Sequence, residues 1–121
     1  MSKVVAVIGA SSNRQKFGNR AVRAYVRQGY DVKPVHPTET AIEGLPVYRT
    51  IADIPGSVDV VSMYVPASIG IALLDAVAAK APTELWINPG AESGALVARA
   101  KALGLSPILA CSIVAIGEIP V

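Results

Sequence analysis

The residues best placed to do chemistry lie between Gly9 and Gly18. The stretch opens Gly9-Ala10-Ser11-Ser12-Asn13, with almost no side-chain bulk, and then carries Arg14 and Lys16. A loop of this kind, between a strand and the helix that follows, exposes backbone N–H groups beside the positive end of the helix dipole. Both features favour a phosphate. Arg14 and Lys16 would add mobile positive charge at the rim. A tight strand-to-helix turn would use the same glycine and serines, but the position after the first strand favours phosphate.

Two familiar phosphate motifs fail here. A dinucleotide fingerprint needs glycines at its first, third and sixth positions, and this chain has Ser11 and Arg14 at the last two. It also wants an acidic residue ending the second strand, where Val35-His36-Pro37 stands. A P-loop ends in Gly-Lys-Ser/Thr, whereas Phe17-Gly18-Asn19 occupies that place. An NAD(P)-dependent oxidoreductase therefore remains only as an alternative, and ATP hydrolysis loses its ground.

Little else could carry catalysis. His36 is the sole histidine and has no nucleophile or carboxylate in sequence reach, so it reads as a loop residue lining a site or facing solvent. Cys111 follows Ile108-Leu109-Ala110 and reads as an inert buried thiol. Ser11, Ser12, Ser62 and Ser68 lack a nucleophile elbow. Asp53, Asp59 and Asp75 fall in cap, strand and helix contexts, and Trp86 lies in a strand as an expected core residue.

The elements that must position these groups alternate. Val4 to Ile8 is a continuous apolar run, as in a strand covered on both faces. Asn19 is the expected cap of a helix to about Gln28, with Ala21, Val22, Tyr25 and Val26 on its apolar face. Asp31 to Val35 is a second strand, and Thr50 with Asp53 resembles a capping pair. Val58 to Met63, Glu84 to Ile87 and Pro107 to Ala110 are further strands, separated by helices over Ile69 to Ala79 and Ser93 to Leu103. Residues 38–57 have the least regular pattern, and Ile113 to Val121 is an apolar tail expected on its own sheet edge or on a second subunit. Strands alternating with helices imply parallel pairing and right-handed crossovers. The expected fold is a single α/β domain over residues 1–121: a doubly wound, mainly parallel five-stranded Rossmann-like sheet with helices on both faces.

Bulk composition agrees. With 121 residues, 52% hydrophobic and 17% charged, the chain suits one globular domain with a good core. A net charge of +2, spread over scattered Lys and Arg, gives no argument for nucleic acid. One cysteine leaves no internal disulfide framework, and no apolar run reaches the roughly 18 residues of a membrane span. A soluble, cytoplasmic protein is the expectation.

In such sheets ligands lie beyond the carboxyl ends of the strands. The segments there are Gly9 to Gly18, His36 to Glu39, Tyr64 to Ser68 and Asn88 to Gly94. Val7-Ile8-Gly9-Ala10-Ser11-Ser12-Asn13, Lys16-Phe17-Gly18-Asn19, Gly29-Tyr30-Asp31-Val32, Pro34-Val35-His36-Pro37, Asp53-Ile54-Pro55 and Trp86-Ile87 before Gly90 resemble the small stand-alone CoA-binding domain proteins along nearly the whole chain. Leu45-Pro46-Val47-Tyr48 and Tyr64-Val65-Pro66-Ala67 are similar to segments of the N-terminal domain of the succinyl-CoA synthetase alpha subunit.

The resemblance implies that the ADP part of coenzyme A, or of an acyl-CoA, crosses the first loop. Gly9, Ala10, Ser11 and Ser12 would contact phosphates, with Asn13, Arg14, Lys16 and Gly18 completing the loop. Val35, His36 and Pro37 would flank the nucleotide from the second strand; Tyr64, Val65 and Pro66 would border it from the third. Three departures stand out: His36 for a common Asn, Asn88-Pro89-Gly90 for a more polar stretch, and Glu39 near a position where a lysine often attends the phosphates. The ligase phosphohistidine segment belongs to another domain, so the expectation is a binding module without catalysis of its own, acting as a homodimer or with a partner enzyme. An interaction protein that has lost its nucleotide is the other alternative.

Overall fold

The computed structural model describes residues 2–121. Five strands form one parallel sheet: β1 (Val4–Ile8), β2 (Asp31–Val35), β5 (Val60–Met63), β6 (Glu84–Ile87) and β7 (Pro107–Leu109), in the order β2-β1-β5-β6-β7. Period-two alternation explains why β1 is apolar throughout. Ala6 and Ile8 enter the core on one face, and Val5 and Val7 enter the core on the other. Helices α2 (Ala67–Ala79) and α3 (Gly94–Ala102) cover the first face through Leu74, Val77, Leu96 and Ala100. Helix α1 (Phe17–Arg27) covers the second through Ala21, Val22, Ala24 and Tyr25. Helices on both faces of a parallel sheet are what the alternating pattern predicts.

Local chemistry sets several boundaries. Ser93 caps α3, its hydroxyl accepting from the Leu96 N–H at 3.1 Å. Thr50 and Asp53 form the expected capping box around a 3₁₀ turn, Ile51–Asp53. Asn19 does not cap α1. It lies within the helix, fully buried, and Lys16 holds the cap position without a side-chain bond.

Other differences concern burial and the irregular parts. Val26 is half-exposed, and Trp86 is half-buried with its indole N–H on the Glu84 carboxylate at 2.9 Å. Cys111 is half-buried rather than enclosed. Residues 38–57 contain an antiparallel hairpin, β3 (Ala41–Ile42) and β4 (Leu45–Pro46), which the sequence pattern did not predict. The tail forms α4 (Ser112–Ala115) and packs beside α1 rather than on a sheet edge. Ile113 is fully buried there, and Glu118 accepts from Arg27 and Gln28 of the α1 end.

Behind the strand ends lies a polar core. The Ser62 and Ser112 hydroxyls are 2.8 Å apart, Tyr64 Oη is 3.2 Å from Ser112 Oγ, and the Asn88 amide donates to Ser62 Oγ at 3.0 Å. Asn88 Oδ1 accepts the Ser112 N–H at 2.9 Å. Ser62, Asn88 and Ser112 are almost wholly buried, so these bonds satisfy groups that would otherwise be costly, and they tie α4 to β5 and β6.

Candidate functional site

The strand order reverses direction between β1 and β5, and there the carboxyl ends of the strands open into a cleft of about 790 Å³. Backbone geometry makes the first loop thin. Gly9 has φ +86°, and a Cβ there would stand 3.0 Å from the Tyr64 carbonyl group. A Cβ on Gly18 would stand 2.1 Å from the Gly9 oxygen. The loop therefore lies against both β5 and the start of α1.

Inside the loop the chain bonds to itself. Ser11 Oγ accepts the Asn13 N–H at 3.0 Å, Asn13 Oδ1 accepts the Gln15 N–H at 3.0 Å, and Asn13 O accepts the Lys16 N–H at 3.0 Å. Buried Asn19 reaches back, its amide donating to Ser11 O at 2.9 Å and to Glu43 at 3.1 Å. No side chain caps α1, so its positive end stays open towards the cleft, which Phe17 and Gly18 line. Among the described residues, the N–H groups of Ala10 and Ser11 bond to no protein acceptor.

Of the residues singled out from the sequence, Gly9, Ala10, Ser11, Lys16, Gly18, Val35, His36, Pro37, Tyr64, Val65 and Pro66 line the cleft. Ser12, Asn13 and Arg14 do not. The Ser12 N–H is taken by Glu39 Oε2 at 3.1 Å, and Asn13 is spent on the turn. Arg14 lies 3.5 Å from Glu43, with its carbonyl oxygen held by Arg23 at 3.0 Å. Charge on Arg14 is thus answered outside the cleft.

Among the lining residues, Arg49, Thr50, Ile51, Ile69 and Leu73 lie outside the segments expected beyond the strand ends. Tyr48 bridges to Val35 beside β2, and the chain then brings Arg49, Thr50 and Ile51 to the cleft wall. Phe17, Ile69, Leu73, Pro89, Gly90 and Ala91 add an apolar side, with Phe17 and Ile69 half-exposed at the mouth. Among the described residues neither Lys16 nor Arg49 has an ion-pair partner.

Reactive groups near the cleft are committed to structure. His36 Nδ1 accepts the N–H groups of Thr38 and Glu39 at 3.1 and 3.0 Å, which puts the neutral ring's proton on Nε2. Burial pushes the Tyr64 phenol up, so it stays neutral and serves as a hydrogen-bonding group. The lining offers two N–H donors, a helix N-terminus, two free cations and several apolar side chains. This donor set fits a cofactor with a phosphate-bearing end and a less polar arm.

Fold and site define a Rossmann-like α/β domain with a ligand-sized cleft at its switch point. More particularly, the chain belongs to the CoA-binding domain family, whose model matches residues 3–117. It is 36% identical over 63 residues to the alpha subunit of the ADP-forming acetate–CoA ligase II of Pyrococcus furiosus, covering 51% of this chain and 14% of that one. It is 39% identical over 67 residues to the ADP-forming acetate–CoA ligase I of Archaeoglobus fulgidus, covering 55% and 10%. The match thus spans a small part of those relatives.

Solved structures give the same picture. A conserved hypothetical protein from Pyrococcus furiosus superposes with a TM-score of 0.83 at 30% identity, covering 95% of this chain and 99% of that one. A dinucleotide-forming acetyl-coenzyme A synthetase from Ca. Korarchaeum cryptofilum, solved with phosphate and ADP, superposes at 0.77 with 26% identity, covering 89% and 25%. The domain is therefore similar both to a protein of its own length and to one part of a larger synthetase. No helix among the described residues is long and apolar enough to cross a membrane.

Proposed function

We propose that this chain binds coenzyme A, or an acyl-CoA, through its ADP part at the switch-point cleft, in the cytoplasm and without reacting it. One observation carries the reading. In a member of the CoA-binding domain family, the uncapped end of α1, the N–H groups of Ala10 and Ser11, and the unpaired Lys16 and Arg49 all belong to one cleft. Diphosphate would lie over the first loop, and the arm would follow Val65, Pro66 and Ile69. His36, Ser11 and Tyr64 are each engaged in protein hydrogen bonds, which supports binding rather than catalysis. The named ligase relatives support a role in which the bound cofactor serves a partner enzyme or a second copy of the chain.

Thermal unfolding tests the reading. A ligand that binds only the native state, at about 100 times its dissociation constant, adds roughly 2.7 kcal/mol, which for a domain of this size raises Tm by several degrees. Coenzyme A is expected to do so and NAD is not. Equal shifts with both, or none with either, would contradict the proposal.

A further inference from the structure

We infer that Arg49 reads a phosphate on the ligand's ribose, so that the cleft favours a nucleotide carrying a ribose phosphomonoester over the same nucleotide without it. The inference rests on the cofactor reading above and adds to it which end of the ligand this side chain meets.

Arg49 owes its place to the chain beyond the β3–β4 hairpin. The Tyr48 N–H donates to Pro34 O at 2.9 Å, and Tyr48 O accepts the His36 N–H at 3.0 Å. Tyr48 thus pairs in parallel with the end of β2, as one more strand position would. On the other side, the Thr50–Asp53 capping box fixes the chain. Arg49 is held between these two anchors and lines the cleft beside Val35, His36 and Pro37.

The two unpaired cations therefore come from different elements. Lys16 holds the cap position of α1, next to the first loop with its open Ala10 and Ser11 N–H groups. A diphosphate over that loop accounts for Lys16. It leaves Arg49 exposed, with no acidic partner among the described residues. A second anionic group on the β2 side would answer it.

General chemistry says what that group is. In doubly wound sheets the ribose lies at the end of the second strand, where a carboxylate accepts from free ribose hydroxyls and an arginine accommodates a ribose phosphate. Here the β2 end brings no carboxylate into the lining. Val35, His36 and Pro37 stand there, and Glu39 Oε2 is spent outside it on the Ser12 N–H at 3.1 Å. A guanidinium suits a phosphate because its N–H groups can donate in pairs. Coenzyme A carries a ribose phosphomonoester and dephospho-CoA does not, so the pair isolates the one group that Arg49 would meet.

Calorimetric titration of the wild type, Arg49→Ala, Arg49→Lys and Lys16→Ala with both ligands, at low and high salt, tests this. The wild type is expected to bind coenzyme A more tightly than dephospho-CoA. Arg49→Ala is expected to cost coenzyme A roughly two- to fivefold more than dephospho-CoA, which closes the gap. Arg49→Lys keeps the charge without the paired donors and is expected to fall between. Added salt is expected to narrow the wild-type gap, and Lys16→Ala to weaken both ligands alike. Equal affinity of the wild type for the two ligands, a preference for dephospho-CoA, or a gap that Arg49→Ala leaves open overturns the inference and leaves the cofactor reading standing. An equal loss for both ligands in Arg49→Ala assigns this side chain to the diphosphate and likewise overturns it. Absence of binding to either ligand by the wild type overturns both readings together.

Discussion

A Cβ on Gly18 would stand 2.1 Å from the carbonyl oxygen of Gly9, so the first turn of α1 and the end of β1 meet backbone to backbone. This contact fixes where the helix N-terminus sits relative to the thin loop that leaves the sheet. The obstruction is main chain, with no flexible side chain to swing away. Gly18→Ala is expected to cost about 1–3 kcal/mol and to lower Tm by several degrees. A wild-type melting curve for the folded variant would show that the helix shifts freely. Gly9 is under the same constraint, with positive φ and the Tyr64 backbone beside it, so substitution there tests the fold before it tests a ligand.

Cations near the loop divide by their partners. Lys16 and Arg49 face the cleft unpaired, whereas Arg14 lies beside Glu43. Lys16→Ala and Arg49→Ala are each expected to weaken coenzyme A binding by up to about 1 kcal/mol, roughly fivefold, and to flatten its salt dependence. Arg14→Ala is expected to change it little. Titration of the three variants at two salt concentrations checks the order, and a larger loss for Arg14→Ala would reverse it.

The buried hydroxyl cluster is expected to be structural. Ser112→Ala leaves Ser62 and Tyr64 without their shared partner, at a cost of about 1–3 kcal/mol for unsatisfied buried groups. Denaturant unfolding reads this directly. A neutral substitution would mean that the two remaining hydroxyls find new partners.

Much of this architecture is legible in the residues, and the misses have physical causes. Val4 to Ile8 announces a doubly covered strand because both of its faces meet helices. The hairpin of β3 and β4 is hidden by its turn, where Glu43 and Gly44 both take positive φ, at 50° and 77°. A two-residue turn of this kind is signalled by Asn-Gly or Asp-Gly, and Glu at its first position conceals it. Arg49 went unseen for the same reason, since the hairpin is what returns it to the cleft. Asn19 reads as a cap from its type alone, but its side chain is drawn inward by Ser11, Glu43 and Arg23. Arg23 is one turn on in the same helix, but Glu43 lies 24 residues away and reaches Asn19 only once the hairpin has folded back. The loop after β1 was legible as a phosphate candidate, whereas the capture of its Ser12 N–H by Glu39 depends on the loop after β2 folding back.

Acid should weaken the tie between Glu118 and the end of α1. Hydrogen bonds from Gln28 and Arg27 hold the Glu118 carboxyl below its usual range. A depressed folded-state pKa means stability that is fully present above the ordinary glutamate value and is lost as pH falls through the lower folded value. The stability gap between wild type and Glu118→Gln is therefore expected to be open at neutral pH and to close in acid. A gap that widens on acidification would contradict the sign.

Backbone amide NMR during titration with coenzyme A tests the central claim most directly, because it reports both whether the cofactor binds and where. The account predicts saturable shifts at Gly9, Ala10, Ser11, Lys16, His36, Arg49, Tyr64, Val65, Gly90 and Ala91, which surround one cleft at the carboxyl ends of the strands. No shifts at saturating cofactor, or shifts confined to the opposite end of the sheet at Lys3, Gly29 and Tyr30, would contradict it.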